Sequence, residues 1–242
     1  MFRNQYLVAT SDVAPGQITG MKAVDFNGLQ IYAHPILSVS VARCPQAEVA
    51  VLGYVIDPFA PDKTDQNVVE TVARECPTVE AMFASVHRFS GRFVLLYKNS
   101  QNFIVTGDAC HFRQIYFAEL DGGFVFTSSP KLFLTCFRLD LQISSKKMEF
   151  TRLPAYQEQE NAWYGDEAID DRLRKLLPNH YLEISQRSVK RVPVKPLCGS
   201  VSDEEAISNT VVILKGTYSA LIRRYQLMQP ITAGWDSRVL LS

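Results

Sequence analysis

The chain has 242 residues and is 47% hydrophobic, enough to build one large domain or one domain with a further piece. Acidic and basic side chains balance at 25 each, with no run of one sign, so a basic surface for a nucleic-acid backbone is not evident. No apolar run reaches bilayer-spanning length, and Met1-Phe2-Arg3-Asn4-Gln5 lacks the basic-then-apolar pattern of a signal peptide. The expectation is a soluble, cytoplasmic protein with neither nucleic-acid nor membrane partners.

The first two-thirds read mainly as strands. Val24-Asp25-Phe26 and Leu29-Gln30-Ile31-Tyr32 flank Asn27-Gly28, a dipeptide that accepts the positive φ angles of a tight hairpin. Ser38 to Ala42 follows, then the continuous apolar run Val49 to Ile56, which suits a strand covered on both faces. Residues 64 to 89 switch to helical spacing. Asp65 is read as the cap of a first helix and Thr78 as the cap of a second, which carries Val79, Met82, Phe83 and Val86; Pro77 separates them. Strands resume at Phe93 to Tyr97, Phe103 to Val105, Ile115 to Ala118 and Phe124 to Thr127, the last two joined through Asp121-Gly122-Gly123. After a polar stretch, His180 to Ile184 and Val189 to Val192 form another hairpin. Many strands with few helices argue for an α+β layered domain.

Residues 193 to 201, with Pro193, Pro196 and Gly199, read as an interdomain connection. Beyond it, Ser202 and Glu205 fit a capping box. Ile207, Val211, Leu214, Tyr218, Leu221 and Tyr225 then share one helical face, which needs a cover. A short strand is expected next, then small residues, then a helix starting near Ser237. Small residues, a helix start and a hydroxyl together make an anion cradle. Taken alone, Gly234-Trp235-Asp236-Ser237 also fits an ordinary turn and helix cap; its place after a linker and a long helix favours the cradle.

At this point a family resemblance becomes specific. Thr232-Ala233-Gly234-Trp235-Asp236-Ser237 resembles the pyrophosphate loop Ser-Gly-Gly-x-Asp-Ser of asparagine synthetase and related ATP pyrophosphatases, with Thr232 and Ala233 as small substitutes. Ser90-Gly91-Arg92-Phe93-Val94-Leu95 resembles the family's Asp-Gly-x-Phe-Ala-Phe. Residues Gly107 to Phe117 follow Arg-Asp-x-x-Gly-x-x-Pro-Leu-Tyr-Tyr, Asp121 to Lys131 is similar to the segment ending Phe-Ala-Ser-Glu-x-Lys, and Leu173 to Leu182 is similar to Ile-x-Lys-Leu-Pro-Pro-Gly-His-Tyr-Leu. The order and spacing of these segments carry the resemblance.

The resemblance implies a four-layer αββα sandwich of the N-terminal-nucleophile hydrolase type over residues 1–195. Residues 196–242 would then open an α/β ATP-binding domain, with Thr232, Ala233, Gly234, Trp235, Asp236, Ser237 and Arg238 at the nucleotide. It further implies ATP and Mg2+ in a complete enzyme that activates a small or carrier-bound carboxylate, and a homodimer is compatible with it. An α/β nucleotide domain commonly takes ~100–150 residues, so the chain reads as a truncated piece that binds no cofactor alone.

The glutamine-dependent members use a cysteine at position 2, exposed by loss of Met1, with its own amine as base. Phe2 stands there, and Leu52-Gly53-Tyr54 replaces the family's Asn-Gly-Glu segment. Nucleophile, oxyanion donor and substrate-binding carboxylate are lost together, so no catalytic residue and no glutaminase activity are expected. The five cysteines (Cys44, Cys76, Cys110, Cys136, Cys198) and four histidines are scattered, which argues against disulfides and structural zinc. Cys110 and His111, as strand neighbours, would face opposite ways rather than cooperate, and His180 reads as a hairpin residue. Two functions stay open: an ATP-dependent amide-forming ligase that takes an amine directly, and a non-catalytic scaffold for oligomerisation or carrier binding.

Overall fold

Alternation along each strand sends one set of side chains inward and the other outward, and this builds the layers of the molecule. The computed structural model describes residues 3–10, 15, 18–120, 122–158, 160–192, 201–230, 232 and 234–239, with residue 236 in its main chain only. The expectations for Phe2, Cys198, the connection at 193–200 with the junction at 195 and 196, Ala233 and residues 240–242 lie outside them.

Sheet A comprises β1 (Tyr6–Thr10), β2 (Lys22–Phe26), β3 (Leu29–Ala33), β8 (Tyr116–Leu120), β9 (Gly123–Thr127) and β10 (Arg174–Lys175), in the order β10-β8-β9-β1-β3-β2. Sheet B comprises β4 (Val39–Arg43), β5 (Glu48–Ile56), β6 (Ser90–Lys98), β7 (Phe103–Gly107), β11 (His180–Glu183) and β12 (Ser188–Arg191), in the order β12-β11-β7-β6-β5-β4. Every pairing is antiparallel.

Tyr6 and Val8 of β1, Ala50 and Leu52 of β5, Val94 and Leu96 of β6 and Phe126 of β9 meet in one core between the sheets. Their neighbours Val49, Val51, Leu95 and Tyr97 face outward and are covered by α1 (Asp65–Glu75) and α2 (Val79–Val86). On the other side, Leu7, Ala9 and Val125 pack beneath α3 (Pro130–Phe137). The layers therefore run helix, sheet, sheet, helix, and the expected αββα architecture is observed. The run through Val49 to Ile56 is indeed covered on both faces. No helix among the described residues is long and apolar enough to cross a membrane.

Two polar clips tie the outer strands of the sheets together. Arg43 of β4 donates to the Asp25 carbonyl of β2 (2.9 Å), and Asn27 beside β2 donates to Glu48 at the start of β5 (2.8 Å).

Several local readings are corrected. The first helix is capped by Thr64, whose hydroxyl takes the Asn67 amide, and Asp65 is freed for another role: its carboxylate accepts from the Val55 amide at 2.9 Å. Strand β1 and helix α3 were not among the expected elements. The signals were a five-residue run ending in Thr10, too short to separate from loop, and Ser129-Pro130, a cap followed by a proline that needs no amide partner in the first turn. Short α4 (Ser145–Phe150) and α5 (Pro154–Glu158) lie within the stretch read as polar.

Helix α6 (Asp203–Arg224) begins where expected. Ser202 Oγ accepts the Glu205 amide at 3.2 Å, while no return bond from the Glu205 carboxylate forms among the described residues. Its docking face differs from the apolar stripe of the sequence. Gly216 lies so close to the Pro58 carbonyl that any Cβ would collide, Ala220 is fully buried, and Thr217 Oγ1 meets Ser90 Oγ at 3.2 Å. Arg224 closes the contact on Asp65 and Val55 O, both at 2.9 Å, and on Lys63 O, while Arg223 pairs with Asp62. Small residues win because they let the helix backbone approach the loop. Ile207 stays 64% exposed and Val211 40%, while Tyr225 reaches the ring of Tyr54 (centroids 5.9 Å).

The short strand expected ahead of the terminal loop is absent from residues 226–230, which have no neighbouring strand to pair with. The last helix, α7 (Trp235–Val239), begins two residues before Ser237.

Candidate functional site

The most polar cavity among the described residues lies at the end of the sandwich where β1 starts, between the two sheets. It holds about 420 Å3 and is walled by residues 3–5, Arg92, residues 112–114 and Ser128. Among the described residues that line it there is no cysteine, histidine, aspartate or glutamate.

Each wall is fixed by backbone chemistry. Asn4 takes a left-handed turn (φ 57°), a conformation asparagine tolerates, and leads into β1. Tyr6 is fully buried; its hydroxyl donates to Gln114 O at 2.8 Å, and Ser128 Oγ accepts its amide at 3.1 Å. Burial pushes the Tyr6 phenol far up, only partly offset by Arg113, so it acts as a neutral strut.

The loop between β7 and β8 is organised by Asp108. This buried carboxylate accepts amides from Phe112 (2.9 Å), Arg113 (3.2 Å) and Phe93 (3.3 Å) and ties the loop to β6. With that geometry set, Arg113 Nε donates to Arg92 O (3.3 Å) and Nη1 to Asn4 O (3.1 Å), bridging the two sheets. Arg92 Nε returns a bond to Phe112 O at 3.0 Å.

Gly53 makes this possible. It sits at φ 112°, and a Cβ there would collide with the Arg92 carbonyl and stand 2.8 Å from Arg113 Nε. Burial lowers the pKa of Arg113, and the Arg92 charge adds to the effect against the pull of Tyr6 and Asp108. Arginine is basic enough that the guanidinium remains charged.

Three arginines therefore line one cavity, none of them in a salt bridge among the described residues. The contrast with another cavity of about 420 Å3, beside α4, is direct. There Lys147 is already paired with Glu167 (2.8 Å) and Asp171 (3.1 Å) beneath Trp163, so its charge is spent.

Cys110 and His111 sit on a turn rather than a strand. His111 takes φ 48°, buries its ring, and places Nδ1 3.0 Å from Leu176 O, while Cys110 is exposed. They do face apart, but through the left-handed turn. His180 belongs to β11, as expected, with Nδ1 2.9 Å from Pro178 O.

The sequence-derived nucleotide loop is described at Thr232, Gly234, Trp235, Ser237 and Arg238; Ala233 and the Asp236 side chain lie outside the described residues. Ser237 Oγ donates toward Thr232 O (2.9 Å) and Gly234 O (3.2 Å), and it takes the Thr232 amide at 3.2 Å. Gly234 N donates to Thr232 Oγ1 at 3.3 Å. Trp235 is 80% exposed with Arg238 over its ring. The loop thus brings Thr232, Gly234 and Ser237 together, with their donors bonded to one another. Pyrophosphate would have to displace these bonds, and no step through ATP is derived from them.

The arginines were missed as a group by sequence reasoning. Arg92 and Arg113 fall inside the family-like segments, but at positions those patterns leave free, and an evenly balanced charge count hides clustering in space.

No family model matches the chain, and no curated protein matches it. Among solved structures it is similar to a glutamine phosphoribosylpyrophosphate amidotransferase from B. subtilis complexed with ADP and GMP, at 10% identity and a TM-score of 0.43, covering 79% of this chain and 44% of that one. It is also similar to a structure described as the allosteric regulatory enzyme of purine biosynthesis, at 10% identity and a TM-score of 0.46, covering 79% and 43%. The chain spans less than half the length of either.

Proposed function

We propose that this chain is a non-hydrolytic relative of the glutamine amidotransferases, an αββα domain whose amide-hydrolysing end has become an arginine-lined pocket. The observation that supports this is the composition of that end. Phe2 occupies the sequence position a nucleophile would need, and the described walls of the cavity carry arginines where hydrolysis requires a thiolate or an activated hydroxyl. Ser128 is the one hydroxyl there, and it is spent on the Tyr6 backbone with no histidine in reach to activate it.

On the same reading, the region from α6 onward belongs to an ATP-using, asparagine-synthetase-like unit that forms amides by activating a carboxylate with ATP and Mg2+ and taking an amine directly. The order of the family-like segments supports this part. Release of ammonia from glutamine tests the first claim: a rate equal to that of a heat-treated sample is expected, and release above that level overturns it.

A scaffold role is the second reading, and the docking of α6 favours it. Through Gly216, Ala220 and Arg224 the sandwich holds the segment that leads to residues 232–238. Loss of that docking without loss of any chemistry is what a scaffold predicts.

A further inference from the structure

We propose that the cavity bounded by Arg3, Arg92 and Arg113 binds a compact organic or inorganic anion carrying at least two negative charges. The inference rests on the reading that this end of the sandwich is a binding pocket rather than a hydrolytic site.

Three observations converge on it. The first is hydrogen-bonding capacity left over. Arg113 is fixed through Nε and Nη1, which leaves Nη2 without a partner among the described residues, and Arg92 uses only Nε. Arg3 makes no hydrogen bond or ion pair among the described residues. Guanidinium donors held in a fixed fork match carboxylate and phosphate oxygens.

The second is uncompensated charge. Bringing like charges to one cavity is unfavourable unless something of opposite sign joins them. Asp108, the acid that acts on Arg113, already has its oxygens taken by three amides. Elsewhere the molecule pairs its arginines readily: Arg88 with Asp57, Arg172 with Asp170, Arg187 with Glu119. Arg138, Arg152, Arg191 and Arg238 also lack an acid partner among the described residues, but only Arg3, Arg92 and Arg113 share the lining of this cavity.

The third is selectivity by omission. An amino acid such as glutamine needs a carboxylate in the wall for its ammonium group, and the described wall has none. Such a pocket rejects a zwitterion and accepts a dianion. The volume of about 420 Å3 falls near the lower end of small-molecule sites.

The test is calorimetric titration of the full chain with inorganic phosphate and with succinate, at ionic strength held constant with chloride. Saturable binding of either dianion is expected, with acetate and glutamine each weaker by about tenfold or more. Arg3→Ala and Arg92→Gln alter exposed side chains and leave the sandwich folded. Each is expected to weaken the dianion by about tenfold, while Arg152→Ala, on the far helical region, leaves it unchanged. Equal affinity in all variants overturns the proposal, as does heat that merely follows ionic strength. Glutamine binding as tightly as succinate overturns the anion assignment, whereas ammonia release would strike at the non-hydrolytic reading instead.

Discussion

Two regions of this molecule look like anion sites for opposite reasons. The terminal loop at residues 232–238 resembles one in sequence, with small residues, a hydroxyl and a following helix, yet the Thr232 and Gly234 amides and the Ser237 hydroxyl bond within the loop. The cavity at the start of β1 has no anion motif in sequence, yet it gathers three arginines that keep part of their donors without a partner among the described residues. A motif specifies which atoms exist, whereas the fold decides which of them are left over. A binding site is made from what remains.

The contrast breaks most easily at glycine. Gly53→Val forces a branched side chain into a positive φ and against Arg92 O and Arg113, so a loss of about 3 kcal/mol or more is expected in denaturant unfolding. Gly234→Ala, in the terminal loop, meets only Thr232 Oγ1 at 3.3 Å and should change stability by less than about 0.5 kcal/mol. Equal effects at the two glycines would erase the distinction drawn here.

Next in size is the attachment of the terminal region. Arg224→Ala removes bonds to Asp65, Val55 and Lys63 and leaves a carboxylate that burial already pushes up without its cation. Hydrogen exchange over residues 215–224 should accelerate by an amount equivalent to about 1–3 kcal/mol, with the amides of β6 unaffected. Uniform acceleration throughout would mean that α6 is integral to the sandwich rather than docked on it.

A smaller effect comes from pH. Burial lowers the pKa of His111 below its usual 6.5, so the unfolded chain binds the proton more tightly than the folded one. The stability linked to this group is therefore complete above 6.5 and is lost as pH falls from there toward the folded value. His111→Gln should flatten that part of an unfolding-versus-pH curve. Because His111 follows Asp108 on the pocket loop, the slope reports on that end of the molecule alone. Smallest of all is Trp235→Ala, a change at an exposed ring expected to stay within about 0.5 kcal/mol of the parent in thermal unfolding.

The fold was legible where burial leaves a periodic trace. Val49 to Ile56 reads as a doubly covered strand because both of its faces lie in cores, and the Asn27-Gly28 turn reads directly from the need for positive φ. Strand β1 was not legible, since five residues cannot establish a period, although it sits at the centre of its sheet and starts at the pocket. The cap at Thr64 was assigned one residue late because aspartate and threonine both cap. What separates them is the Val55 amide, which lies on another element and claims Asp65. The docking face of α6 was misread for a related reason. Hydrophobic spacing marks a stripe of large residues, while the close contact at Pro58 selects Gly216 and Ala220 for their small size. The arginine pocket was invisible because no local pattern records that residues 3, 92 and 113 converge.

One feature of the fold bears on how the protein behaves among copies of itself. Strands β2 and β4 each form one margin of their sheet, with β10 and β12 at the opposite margins, and an edge strand is a possible template for a strand from another molecule. Arg43 crosses from one margin to the other and occupies the Asp25 carbonyl that such a strand would need, and it adds a charge where the newcomer would lie. Asn27 does the same work beside it by holding Glu48. The clips between the sheets are therefore also guards against self-templated growth. In Arg43→Ala the unfolding midpoint should barely move, while light scattering under mildly denaturing conditions rises.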